Sequence, residues 1–146
     1  MPEQETLERA REDKREGLSP STQAGEFVRE EMEHIRDGEH GARSPEQPIA
    51  IGLSQARRAG VRLSPPKRGR ARTKRQAKRD LAKGRRRKQP SLMRSRAVRG
   101  ALKRESRRSA SRKALSRHAR RAAHARSATS RSAAARKAAR TRRRRR

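Results

Sequence analysis

From residue 51 onward the chain carries 38 lysines and arginines but only two acids, Asp80 and Glu105. This imbalance limits what the chain can fold into more than any other feature. Like charges at that density repel, and the segment holds no set of carboxylates to relieve them. Residues 1–50 reverse the sign, with 13 acids against seven Lys/Arg, so the net charge of +30 combines −6 over residues 1–50 with +36 over residues 51–146. Apolar residues make up 28% of the 146, many of them alanine, with one Phe and no Trp or Tyr. Such a chain buries too little apolar surface to offset the entropy lost on ordering, which is the compositional mark of disorder. The expectation is a mostly disordered protein: a small all-α module over residues 1–63, then a disordered Arg/Lys/Ala/Ser-rich basic tail over residues 64–146.

Several classes of protein are excluded at once. No cysteine is present, so disulfide frameworks, Cys-ligated zinc and thiol nucleophiles are ruled out. No apolar run approaches the ~18 residues that span a bilayer, and the tail lacks the bulky apolar anchors of a membrane-surface helix. The opening Met1-Pro2-Glu3-Gln4-Glu5 has neither the basic start nor the apolar stretch of a secretory signal. A cytoplasmic protein with no membrane partner is expected.

Within the head, helices are expected near residues 3–16, 22–37 and 45–59. The first is laced with charge, and Leu7 and Ala10 are its only candidates for burial. Gly17 and Ser19-Pro20-Ser21 break it. In the second, Ala24, Val28, Met32 and Ile35 recur at i, i+4, i+8 and i+11, with Phe27 beside the stripe. Gly38 suits the left-handed residue past its end. The third opens on Ser44-Pro45-Glu46-Gln47, which has the form of a capping box. Ile49, Leu53 and Ala56 make its stripe, Gly60 closes it, and Val61 is placed to touch Ala56. Pro48 removes an early helical hydrogen bond and conflicts with a regular first turn. Two striped helices joined by a short loop make an antiparallel α-hairpin. A DNA-reading helix-turn-helix is the sharper alternative, but its turn is tighter and it has a third supporting helix. So small a core points to a homodimer or a protein partner for support.

Ser64-Pro65-Pro66-Lys67-Arg68 is a hinge, beyond which Lys, Arg, Ala and Ser dominate. Lysine and arginine bind phosphates by displacing condensed counterions, whatever the base sequence. The residues expected to grip nucleic acid begin with Arg57 and Arg58 at the end of the third helix. Lys67, Arg68, Arg70, Arg72, Lys74, Arg75, Lys78 and Arg79 form a first dense stretch, and Arg85, Arg86, Arg87 and Lys88 a second. Arg107, Arg108, Arg120 and Arg121 follow, then Arg142, Arg143, Arg144, Arg145 and Arg146. Base-stacking platforms need aromatics and the one Phe belongs to the core, so contacts should run through the backbone with little base discrimination. From residue 91 on, 19 arginines stand against three lysines. That preference matches bidentate phosphate pairing and entry into narrow minor grooves, and favours DNA over RNA. A tail of about 80 residues could reach some 260–290 Å when extended and so bridge duplexes. On a polyanion, segments such as residues 119–140 can become helical, since Ala and Arg are good helix formers.

Nothing in the sequence points to an enzyme or a cofactor. The histidines are His34, His40, His118 and His124. His34 and His40 stand beside Glu33 and Glu39, but a spacing of six does not put two ligands on one helix face, so no metal site is expected. His118 and His124 add partial positive charge at mildly acidic pH. There is no phosphate-cradling glycine loop and no supported nucleophile–base pair.

The stretch His40-Gly41-Ala42-Arg43-Ser44-Pro45-Glu46-Gln47-Pro48-Ile49-Ala50-Ile51-Gly52-Leu53-Ser54-Gln55-Ala56-Arg57-Arg58-Ala59-Gly60-Val61 resembles an uncharacterised family of small basic bacterial proteins. The family is marked by a run like A-I-A-I-x-L-S-x-A-R-x-A-G, and the likeness reaches back through residues 19–38. Pro48 departs from it, since the family usually carries Ala there. The resemblance implies a bacterial origin and no mechanism. The tail is similar in composition to bacterial histone H1-like and protamine-like tails.

The residues together describe a nucleoid-associated protein that binds and compacts DNA without regard to sequence. One rival is an RNA- or ribosome-associated basic protein. Another is an adapter whose amino-terminal helices dock a protein partner while the tail localises it. A third arrangement has the acidic head fold back on the tail and limit its binding.

Overall fold

A computed structural model describes residues 2–86 and 91–144. Within them the chain forms α1 (Gln4–Arg15), α2 (Pro20–Asp37), α3 (Glu46–Arg58), α4 (Ala71–Arg86), α5 (Leu92–Lys103), a 3-10 turn (Arg107–Ala110), α6 (Arg112–His124) and α7 (Ala128–Arg144). The mostly disordered protein expected from composition is therefore wrong. Among the described residues the basic tail forms helices up to Arg144, and helix covers residues 119–124 and 128–140 of the segment where it was expected only on a polyanion.

α2 is the centre of the fold. Ser19 caps it by accepting from the Thr22 N–H at 3.4 Å, Pro20 takes the first helical position, and Gly38 ends it in the left-handed conformation at φ 88°. α1 and α3 both pack on it. One core cluster joins Ala10, Ala24, Phe27, Ala56 and Val61, flanked by Leu7, Leu53 and Leu63. Val61 reaches Ala56 as the sequence suggested, with its N–H on the Ala56 carbonyl at 3.0 Å. The capping box does not form. Gln47 reaches past Ser44 to the Arg43 N–H at 2.9 Å, while the Ser44 hydroxyl serves the Glu46 carboxylate.

The tail folds because a few of its non-basic residues fall where the head can use them. Ala77, Asp80 and Gly84 recur at i, i+3 and i+7 and face α3. Asp80 is buried and accepts from Ser54 Oγ at 2.8 Å, Arg58 Nε at 2.9 Å and Gln76 Nε2 at 3.0 Å. At Gly84 a Cβ would fall 2.3 Å from the Arg57 carbonyl oxygen, so glycine sets the approach of α4 to the end of α3. Ala110 and Leu115 complete a second core cluster with Met32, Ile35, Ala42, Val28 and Ile49. The loop before α3 is pinned to the tail by backbone bonds from Gly41 to Leu102 and from Ala42 to Ser106. The two tail acids and the head's carboxylates also relieve part of the repulsion: Arg43 pairs with Glu105 at 2.7 Å, and Glu46 holds His118 at 3.0 Å and Arg121 at 3.2 Å. α5 and α7 bury no residue, and their helicity rests on the strong propensity of Ala and Arg.

Candidate nucleic-acid interface

Docking of α4 through Ala77, Asp80 and Gly84 decides where its cations point. Arg72, Arg75, Arg79, Lys83 and Arg86 lie at i, i+3, i+7, i+11 and i+14 on the opposite face, and all five are exposed. At 1.5 Å per residue this row is about 21 Å long. The only acid of the helix, Asp80, is turned inward and 1% exposed. Gln76, a residue type able to read adenine, is occupied: its amide donates to Asp80 and its oxygen accepts from Arg79 at 2.6 Å. The face offers charge and little else. Lys78 and Arg85 are exposed beside the row and Lys74 is partly covered, while Lys67, Arg68 and Arg70 are exposed on the approach to the helix.

Arg57 and Arg58 are placed differently. Arg57 is buried, and its guanidinium donates to the carbonyls of Leu63 at 3.0 Å and Leu53 at 3.3 Å, with Ser64 at 3.5 Å. Burial lowers its pKa and nearby Asp80 opposes that shift. This arginine closes the turn after α3 rather than facing solvent. Arg58 is spent on Asp80. Arg57 is not free in the way the sequence suggested, whereas Arg58 stays exposed while pairing with Asp80; a helix-end arginine pair looks alike in sequence whether it faces water or the next helix.

A second cationic place forms where the tail meets α2. Arg36, Arg107 and Arg112, with Ala110 and Ser111, line an open depression of about 520 Å³. Ser111 caps α6 there, its hydroxyl accepting from the Ala114 N–H at 3.2 Å, so the positive end of the helix adds to the guanidinium charge. Arg107 was expected at such a surface, whereas Arg36 and Arg112 were not. Arg36 sits in a helix whose acids outnumber its arginines, and it carries no sequence signal. Arg112 was discoverable, since Ser111 followed by an Ala- and Arg-rich run is a helix start.

Arg108 and Arg120 are exposed, while Arg121 pairs with Glu46. Ser44, its own backbone N–H and His118 together pull the Glu46 carboxyl down to about 2. On α7, Arg142 and Arg143 are exposed, and Arg144 shares a shallow groove with Glu12, Asp13, Glu16 and Glu26 of the head. Arg87, Lys88, Arg145 and Arg146 lie outside the described residues.

One polar cluster stands apart from these faces. Glu31 and His34 of α2 come together with His40 from the loop beyond Gly38. The spacing of six that argued against such a meeting assumes one continuous helix, and Gly38 ends the helix before His40. Burial raises the Glu31 pKa, against the lowering effects of Gln55, His40 and His34.

The fold and its faces define a small all-α protein with cations segregated onto outward helix surfaces. No helix among the described residues is long and apolar enough to cross a membrane. Compared with known proteins, the chain is matched by no family model, no curated protein and no solved structure.

Proposed function

We propose that this protein binds duplex nucleic acid through its phosphates, DNA in preference to RNA, without reading base sequence, and compacts it in the manner of nucleoid-associated proteins. The observation that carries this reading is the outward face of α4, where Arg72, Arg75, Arg79, Lys83 and Arg86 align with no acid among them. Cations so arrayed displace counterions from a run of phosphates, and a face without free amide or aromatic groups has no means of discriminating bases. The depression at Arg36, Arg107 and Arg112 suits a phosphate group at the start of α6. Compaction follows from having cations on separate parts of the molecule. α4 lies on α3 and the end of α7 lies beside α1, so one chain can hold two duplex segments. A cytoplasmic, nucleoid location belongs to the same proposal, as does membership of residues 40–61 in the uncharacterised bacterial family they resemble. The adapter alternative draws support from α5, where Leu92, Met93 and Val98 are 76%, 84% and 53% exposed.

A salt series of binding to unrelated duplexes tests the reading. Affinities should agree between sequences and fall linearly on a log–log plot. Replacing Arg72, Arg75 and Arg79 with Gln should flatten the slope by about 0.9 for each phosphate that is no longer neutralised. No retardation of any polynucleotide at moderate ionic strength sinks the proposal. Tighter binding of a structured RNA competitor at matched salt moves it to RNA.

A further inference from the structure

Glu31 and His34 are three residues apart on α2, and His40 returns to them past the left-handed Gly38. His40 is fixed by its neighbours. The Gly41 N–H donates to the Leu102 carbonyl at 2.9 Å and the Ala42 N–H to that of Ser106 at 3.0 Å. A Cβ on residue 41 would fall 1.9 Å from the Glu105 carbonyl oxygen, so only glycine admits this approach. One oxygen of Glu31 and one nitrogen each of His34 and His40 thereby lie within 4.8 Å of one another.

The hydrogen bonding inside the cluster leaves a gap for positive charge. His40 Nδ1 is 3.1 Å from the Gly41 carbonyl oxygen, which can only accept, so Nδ1 carries the hydrogen and the neutral ring presents a lone pair at Nε2. That Nε2 is 3.4 Å from Glu31 Oε2, which is buried and receives no hydrogen bond. Glu31 itself is 4% exposed. Two lone-pair atoms facing each other away from water need a positive centre between them. Glu31 is meanwhile held by its other oxygen, Oε1, which accepts from Gln55 Nε2 at 2.6 Å. Glu3 Oε1 at 3.2 Å and Glu30 Oε1 at 3.9 Å from His34 Nε2 place two further carboxylates beside the ring, of the kind that orient metal-binding imidazoles.

We infer that Glu31, His34 and His40 form a binding site for one divalent transition-metal ion of the zinc class. Donors 2.0–2.1 Å from a tetrahedral ion sit roughly 3.3 Å apart, a spacing the His40–Glu31 pair already has. Two imidazoles with a carboxylate select zinc, cobalt, nickel or copper over magnesium or calcium. The ion joins the end of α2 to the loop that holds Leu102 and Ser106, and through Gln55 it steadies α3. It acts as a staple for a core that is small for the chain's length.

The test uses the full-length chain, freed of metal by dialysis against a chelator, and Zn²⁺ added alone. Binding followed by competition with a chromophoric chelator should saturate at one ion per chain, and the melting temperature should rise with added Zn²⁺. His40→Ala and Glu31→Gln should each weaken binding at least about 10-fold, while the His118→Ala/His124→Ala double variant should bind as the parent does. Should a core variant lose its helical circular dichroism, the parent alone decides. Its His34 and His40 ring-nitrogen resonances must shift on Zn²⁺ addition while those of His118 and His124 stay. Absence of saturable binding by Zn²⁺, Co²⁺ and Ni²⁺, or shifts confined to His118 and His124, overturns the inference.

Discussion

A missing methyl group sets how closely the two central helices lie. At Gly52 a Cβ would stand 2.7 Å from Val28 Cα and 2.8 Å from the Phe27 carbonyl oxygen, both rigid backbone. Gly52→Ala should therefore force α2 and α3 apart at the cost of about 1–3 kcal/mol. Gly25 on α2 has nothing within 4 Å of the same position, so Gly25→Ala should stabilise by roughly 0.5–1 kcal/mol through helix propensity alone. Urea unfolding of the two variants reads the difference, and equal effects would deny the close approach. The role of Gly52 was legible in principle, because a glycine inside a helical stripe signals near contact with another backbone. That of Arg57 was not. Its burial depends on the carbonyls of Leu53, Leu63 and Ser64 converging on one guanidinium, and no spacing in the sequence announces this.

α4 is an element held by one carboxylate. Three donors from two helices converge on Asp80, whose loss leaves Ser54, Arg58 and Gln76 without their acceptor. Removing one partner of a fully buried pair costs about 3–5 kcal/mol, and the 41% exposure of the Arg58 side chain lets solvent recover part of that. Asp80→Ala should thus destabilise by about 2–3 kcal/mol, and protease should then cut first within residues 64–86. Cleavage elsewhere first, or an unchanged midpoint, would show that α4 does not depend on this contact. α2 and α3 could be read from their apolar stripes, which report burial directly, and α1 from the breakers that follow it. α4 and α6 could not be read that way, because α4 brings only Ala77, Asp80 and Gly84 to the head, and α6 brings a lone Leu115 beside His118 and Arg121. A composition averaged over the whole tail hid them. The rarity of acids there was itself the signal: of two in the segment, Asp80 meets Arg58 and Glu105 meets Arg43.

At the scale of the molecule, opposite charge holds head and tail together and also competes with any polyanion. Glu12 and Glu16 are exposed in a groove that Arg144 also lines, so their negative charge opposes a phosphate approaching that arginine. Glu12→Gln/Glu16→Gln should strengthen DNA binding by about 0.5–1 kcal/mol at low salt, with the gain fading as salt screens the groove. A gain that persists in high salt, or none at all, would mean that the acidic head does not restrain the tail. The cationic face was legible as a quantity of charge; its position required the docking of α4. The long reach of the second core cluster also bears on how the protein is made. Arg36 meets the Ala110 carbonyl across 74 positions, and Met32, Ile35 and Ala42 close over that same alanine. On a ribosome that releases the chain from its amino end, those three side chains stay uncovered until residue 110 has emerged, so the acidic half is made first and sealed last.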